Sequence, residues 1–128
     1  LKKIKENLLV NKWQTPNGTI LQSRHGHDYV SVEEDGQLYA VDGGLNYSRV
    51  VGDFSNMKDL CVYDTDSIEQ IRQEFEWGSY GVNGDEQLKR IKLKDLTEDH
   101  VLNILKLDIP EYLQDVFSRE LEYRNDKS

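Results

Sequence analysis

Apolar and polar positions change period once along the chain. Residues 13 to about 65 alternate as strands do, and residues 67 to 124 repeat apolar positions at helical spacing. Thr15-Pro16-Asn17-Gly18 is a turn, because Pro sets φ and Asn-Gly accepts left-handed φ. Residues 19–25 then read as a strand that Gly26 interrupts with a bulge. Val30 and Val32 share one face of the next strand. Asp35-Gly36 between two alternating runs predicts a hairpin into residues 38–41. Residues 47–51 and 60–63 are further strand candidates. Ser67 with Gln70 forms a capping box ahead of Ile68, Ile71 and Phe75, which fall on one helical face that Gly78 closes. Residues 87–94 alternate again, with Ile91 and Leu93 inward. Thr97 or Asp95 caps a helix with the stripe Val101, Ile104 and Leu105, and Pro110 opens the last helix, whose apolar face is Leu113, Val116, Phe117 and Leu121. Leu1, Ile4 and Leu8 are spaced for one helical face, so residues 1–12 read as a short helix or arm. Strands followed by helices predict an α+β domain spanning residues 1–128. Its sheet of four to five antiparallel strands is open or partly closed, with two to three C-terminal helices packed on it.

Charge narrows the partners. The chain has 128 residues, with 16 Lys and Arg against 24 Asp and Glu, a net charge of −8. Non-specific nucleic-acid affinity comes mostly from phosphate neutralisation by Lys and Arg, so a general polyanion binder is not expected. The first twelve residues are basic, and the negative charge sits on the body, most heavily on its helical half. No apolar run is long enough to span a bilayer. Lys5, Glu6 and Asn7 break the N-terminal apolar stretch, so it does not read as a signal peptide. Cys61 is the one cysteine and can make no internal disulfide, which favours a reducing, cytoplasmic setting. Its neighbours Leu60 and Val62 make it a core residue rather than a reactive thiol.

Candidate chemistry gathers in the strand-forming half. His25 and His27 stand two apart, so a regular strand points both imidazoles to one face, beside Asp28. Such a pair suits acid–base work. A metal site needs a third ligand, and none stands at a telling spacing, so neither a metal nor another cofactor is called for. Asp42-Gly43-Gly44 allows positive φ and exposes backbone N–H groups, and Arg49 adds a planar donor fork for an anion. Arg24 is a second cation, and Tyr29 and Tyr47 can stack on a base or donate a hydrogen bond. Residues 78–84 hold three glycines and read as a lid or a solvated linker. Lys89, Arg90, Lys92 and Lys94 form a basic cluster that reads as an ordinary solvated sheet face.

Residues 15–23, then His25, His27, Asp28, Tyr29 and Val30, then Asp42, Gly43, Gly44, Leu45, Tyr47 and Arg49, together resemble a group of small proteins encoded by bacteriophages and prophages. The likeness runs from about residue 13 to residue 124, and departs from the group's pattern at Gly26 and Val50, where arginines are expected. It implies a viral or prophage setting and carries no mechanism. Two functions stay open. One is a small accessory protein that binds a host protein or a small anionic ligand in the bacterial cytoplasm. The other is a small enzyme acting on a nucleotide or phosphorylated substrate, with His25 or His27 as acid–base, Asp28 or Asp42 orienting it, and Arg24 and Arg49 clamping the anion.

Overall fold

In the computed structural model the described residues are 6–24, 28–44, 47–52, 54–81 and 84–127, with Gly44, Tyr47 and Phe54 described by backbone alone. Their contacts divide the chain into two compact units, residues 1–65 and 66–128. The division falls where the hydrophobic period changes from two to that of a helix. The class is α+β: antiparallel strands come first, in sheets that do not close, and the α-helices follow.

Alternation builds the first unit. β1 (Leu8–Gln14) pairs antiparallel with β2 (Ile20–Ser23), and on its other side with the short β6 (Lys58–Asp59) and β7 (Val62–Tyr63). A second sheet is the meander β3 (Val30–Glu34), β4 (Gln37–Gly44) and β5 (Tyr47–Val51). The β1–β2 turn is the predicted Pro-Asn-Gly turn: Gly18 N–H donates to Thr15 O at 2.9 Å, and Gly18 has φ 92°. The β3–β4 hairpin turns through Asp35 (φ 52°) and Gly36 (φ 77°), the doubly left-handed pair that matches strand twist. Leu21, Tyr39, Val41 and Met57 form the unit's buried cluster, with Trp13, Val30, Val32 and Val50 packed against it. Each fully buried apolar side chain contributes about 1.5–3 kcal/mol relative to exposure.

Three elements depart from the sequence pattern. Residues 8–12 are strand, not helix, while residues 1–5 lie outside the described residues. Leu8, Leu9, Val10 and Asn11 are all buried, so the strand shows no alternation and its apolar spacing mimics a helix. The run at residues 60–63 is split, because Cys61 N–H turns to Asp59 Oδ1 (2.9 Å) between β6 and β7. The expected antiparallel sheet of four to five strands is present as a four-stranded sheet, and the meander forms a separate three-stranded one. The bulge expected at Gly26 lies outside the described residues.

The second unit builds its framework from short helices and one hairpin. Ser67 Oγ accepts from Gln70 N–H at 3.2 Å and starts α1 (Ile68–Glu74). Phe75 ends that helix in extended conformation instead of continuing its face, and β8 (Glu76–Ser79) pairs with β9 (Lys89–Lys92). Thr97 Oγ1 caps α2 (Glu98–Leu105), accepting from His100 N–H at 3.1 Å. Pro110 O accepts from the amides of Leu113 and Gln114 at the start of α3 (Glu111–Lys127). Ile71, Leu93, Val101, Ile104, Val116 and Phe117 are almost wholly buried. Phe117 takes the ring of Phe75 at 6.1 Å and the edge-on ring of Trp77 at 5.3 Å.

A buried ion triad ties this unit together. Glu120 has no exposed surface, yet it is charged. Its Oε1 accepts from Arg72 Nε (2.8 Å), and its Oε2 from Arg72 Nη2 (3.1 Å) and Arg124 Nε (2.6 Å). Arg124 also donates to Leu93 O and Leu96 O, and Arg72 lies over the Tyr123 ring. The hydrogen bonds that Arg72 donates to Glu120 hold its guanidinium still more firmly protonated. The triad joins α1, the turn at residues 93–96 and α3.

Candidate functional site

The sequence candidates in the first unit fall at one end of the meander. Register sets Asp42 opposite Arg49, Gly43 opposite Ser48 and Gly44 opposite Tyr47, and the pair Val30–Val41 brings the start of β3 to the same end. Gly43 is buried with φ 137°, a conformation that glycine reaches without strain. Asp42 Oδ1 is buried and makes no hydrogen bond among the described residues. Arg49 is exposed, and Tyr29 is 54% exposed. Asp28 is spent on its own loop: its carboxylate accepts from Arg24 N–H at 2.8 Å, and its carbonyl accepts from Ser23 Oγ. Arg24 donates to Gln22 Oε1 at 3.3 Å. His25 and His27 lie outside the described residues, as does the side chain of Tyr47. Asp42, Gly43, Gly44 and Arg49 are thus brought together, with Asp28 closing a neighbouring loop.

Behind this end stands Asn11, 1% exposed. Its Nδ2 donates to Asp42 O (3.3 Å), and its Oδ1 accepts from Ser48 Oγ (3.0 Å) and from the Cys61 thiol (3.7 Å). Asn11 therefore links β1, β4, β5 and the β6–β7 connection. Burial, with Asp59 nearby, pushes the Cys61 thiol up to about 12, so at neutral pH it is a protonated packing group with no nucleophilic thiolate. Among the described residues, no group of three or more His, Cys, Asp or Glu side chains is placed to hold a metal ion.

The second unit holds a cleft that the sequence pattern did not reveal. It lies between β8 and α2 and encloses about 450 Å³. Trp77, Ile104 and Leu107 supply its apolar lining, and Ser79, Thr97, Asp99, His100 and Asn103 its polar lining. The helix repeat creates this wall: His100, Asn103, Ile104 and Leu107 are three, four and seven residues apart and face one way. Ser79 Oγ and Thr97 Oγ1 each accept a backbone N–H. The side chains of Asp99, His100 and Asn103 make no hydrogen bond or ion pair among the described residues, so their polar groups are uncommitted. Gly81, on the rim, has φ 87°, and a Cβ there would collide with the Glu86 carboxylate lying against it. Leu107 is 53% exposed at the same rim. In sequence, Trp77 hides in a run that reads as helix end, and His100 stands alone. The glycines at 78, 81 and 84 were the one signal pointing here.

No helix among the described residues is long and apolar enough to cross a membrane. Comparison with protein-family models, curated proteins and solved structures returns no match.

Proposed function

We propose that the protein is a small accessory binding protein that engages a host protein partner in the bacterial cytoplasm, and that the β8–α2 cleft is where the partner docks. One observation carries this reading: three polar side chains uncommitted among the described residues surround an apolar floor with the exposed Leu107 at its rim. Unspent hydrogen-bonding groups beside apolar surface are what a partner's side chains satisfy. A protein fits better than a small anion, because Asp99 lines the cleft and, among the described residues, no Lys or Arg does. The phage or prophage setting rests on the motif likeness of residues 13–124.

A second reading has its own support. The unpartnered buried Oδ1 of Asp42, across from Arg49, suits a small enzyme or an anion site on the meander, with His25 or His27 as acid–base. Amide NMR spectra of the whole chain, titrated with fractionated host lysate, separate the two. Shifts clustered at residues 77–81 and 97–107, and lost in Leu107→Asp, support cleft docking. Shifts confined to residues 24–49, or produced there by nucleotides, favour the meander and overturn it.

A further inference from the structure

We infer that the cleft accepts a basic side chain of the partner, an arginine or lysine whose alkyl stem lies along Trp77 and Ile104 and whose cationic head meets Asp99. This rests on the docking reading above and names the chemistry the site selects. Among the described residues the cleft's walls carry acceptors and no Lys or Arg: Asp99 is a carboxylate with no ion pair there, and Asn103 and His100 offer further acceptors beside it. A second carboxylate borders the rim, since Glu86 packs against Gly81 and makes no ion pair among the described residues. Lys106 and Lys94 are the cations nearest in sequence to the lining residues, and neither lines the cleft.

The apolar side of the cleft matters as much. Arginine and lysine bury their methylene stems while keeping the charge near polar groups. Trp77 is held edge-on against Phe117, so its ring is a fixed wall that needs no ordering when a stem arrives. A flat indole also attracts a cation placed over its face. An anion meets the Asp99 carboxylate with no Lys or Arg among the described lining residues to offset it, and a purely apolar side chain leaves that carboxylate without a partner. At about 450 Å³ the cleft has room for a long side chain and for part of the partner's adjoining backbone.

The test titrates the isotope-labelled full chain with capped Gly-Arg-Gly, capped Gly-citrulline-Gly and free arginine, reading amide shifts at residues 77–81 and 97–107. Citrulline keeps the shape of arginine and removes its charge. The arginine peptide is expected to shift these amides saturably, at least about fivefold more tightly than citrulline, and more weakly as salt rises. Asp99→Asn, an exposed substitution, is expected to weaken the arginine peptide about tenfold and leave the citrulline peptide unchanged. Equal binding of the two peptides, or an unaffected Asp99→Asn, overturns the inference. Free arginine binding as tightly as the capped peptide overturns it too, by making this a small-molecule site. If lysate fractions shift the cleft amides and none of the three probes does, the cation is wrong and docking stands. If neither shifts them, docking itself fails.

Discussion

Glu120→Gln tests the buried triad with the least change of shape. The wild-type carboxylate accepts three charge-assisted hydrogen bonds at 2.6–3.1 Å with its side chain wholly buried. The amide removes the charge and turns an N–H donor toward guanidinium donors. Breaking a buried pair by neutralising one partner costs about 3–5 kcal/mol. The low end, about 3 kcal/mol, is expected, because the Arg72 and Arg124 side chains keep 19% and 24% exposure and can reach water. Urea unfolding followed by circular dichroism at 222 nm reads this unit, since α1, α2 and α3 all lie in it. With an m value of about 1–3 kcal/mol/M, the midpoint falls by roughly 1–3 M. Glu122→Gln, on an exposed position of the same helix, is the control and stays within about 0.5 kcal/mol. Because the triad is buried, the difference should persist in high salt. Replacing all three together (Arg72→Met, Glu120→Leu, Arg124→Met) should recover much of the loss, since desolvating three charges is itself costly. A Glu120→Gln loss below about 1 kcal/mol, or one abolished by salt, refutes the clamp.

Other consequences are as direct. Cys61, pushed up to about 12, should react with a thiol reagent at pH 8 about three orders of magnitude more slowly in the native protein than in urea. Because its folded value is raised, any stability it contributes is complete below the unfolded thiol range and is lost as pH rises from there toward 12, which alkaline unfolding curves will show. Gly52→Ala should cost well over 2 kcal/mol, because φ is 110° and the new Cβ meets Leu38 O at 2.6 Å. Gly36→Ala, with open space around its Cβ, should cost only the left-handed penalty of about 1–2 kcal/mol, and the contrast is measurable in the same urea assay. Thr97→Ala removes the α2 cap and should cost about 1 kcal/mol.

Local chemistry made the Asp35-Gly36 hairpin, the Pro16-Asn17-Gly18 turn and the Ser67 and Thr97 caps readable from residue order, because each depends on a few adjacent residues. β1 was not readable, because contacts from residues some ten and fifty positions away pair both its edges, and burial on both faces erased the alternation. The helix expected to run past Phe75 stops at Glu74, because residues 76–79 pair with a strand whose alternation alone gave no partner. Asp42 and Arg49 stood out in sequence and do stand opposite each other, since a hairpin keeps sequence neighbours together. The Arg72–Glu120–Arg124 triad and the β8–α2 cleft gather residues separated by up to about fifty positions. Only the Glu120–Arg124 pair, four apart on one helix, and the glycines at 78, 81 and 84 carry a local signal, so tertiary packing decided where that charge is buried and which polar side chains were left uncommitted.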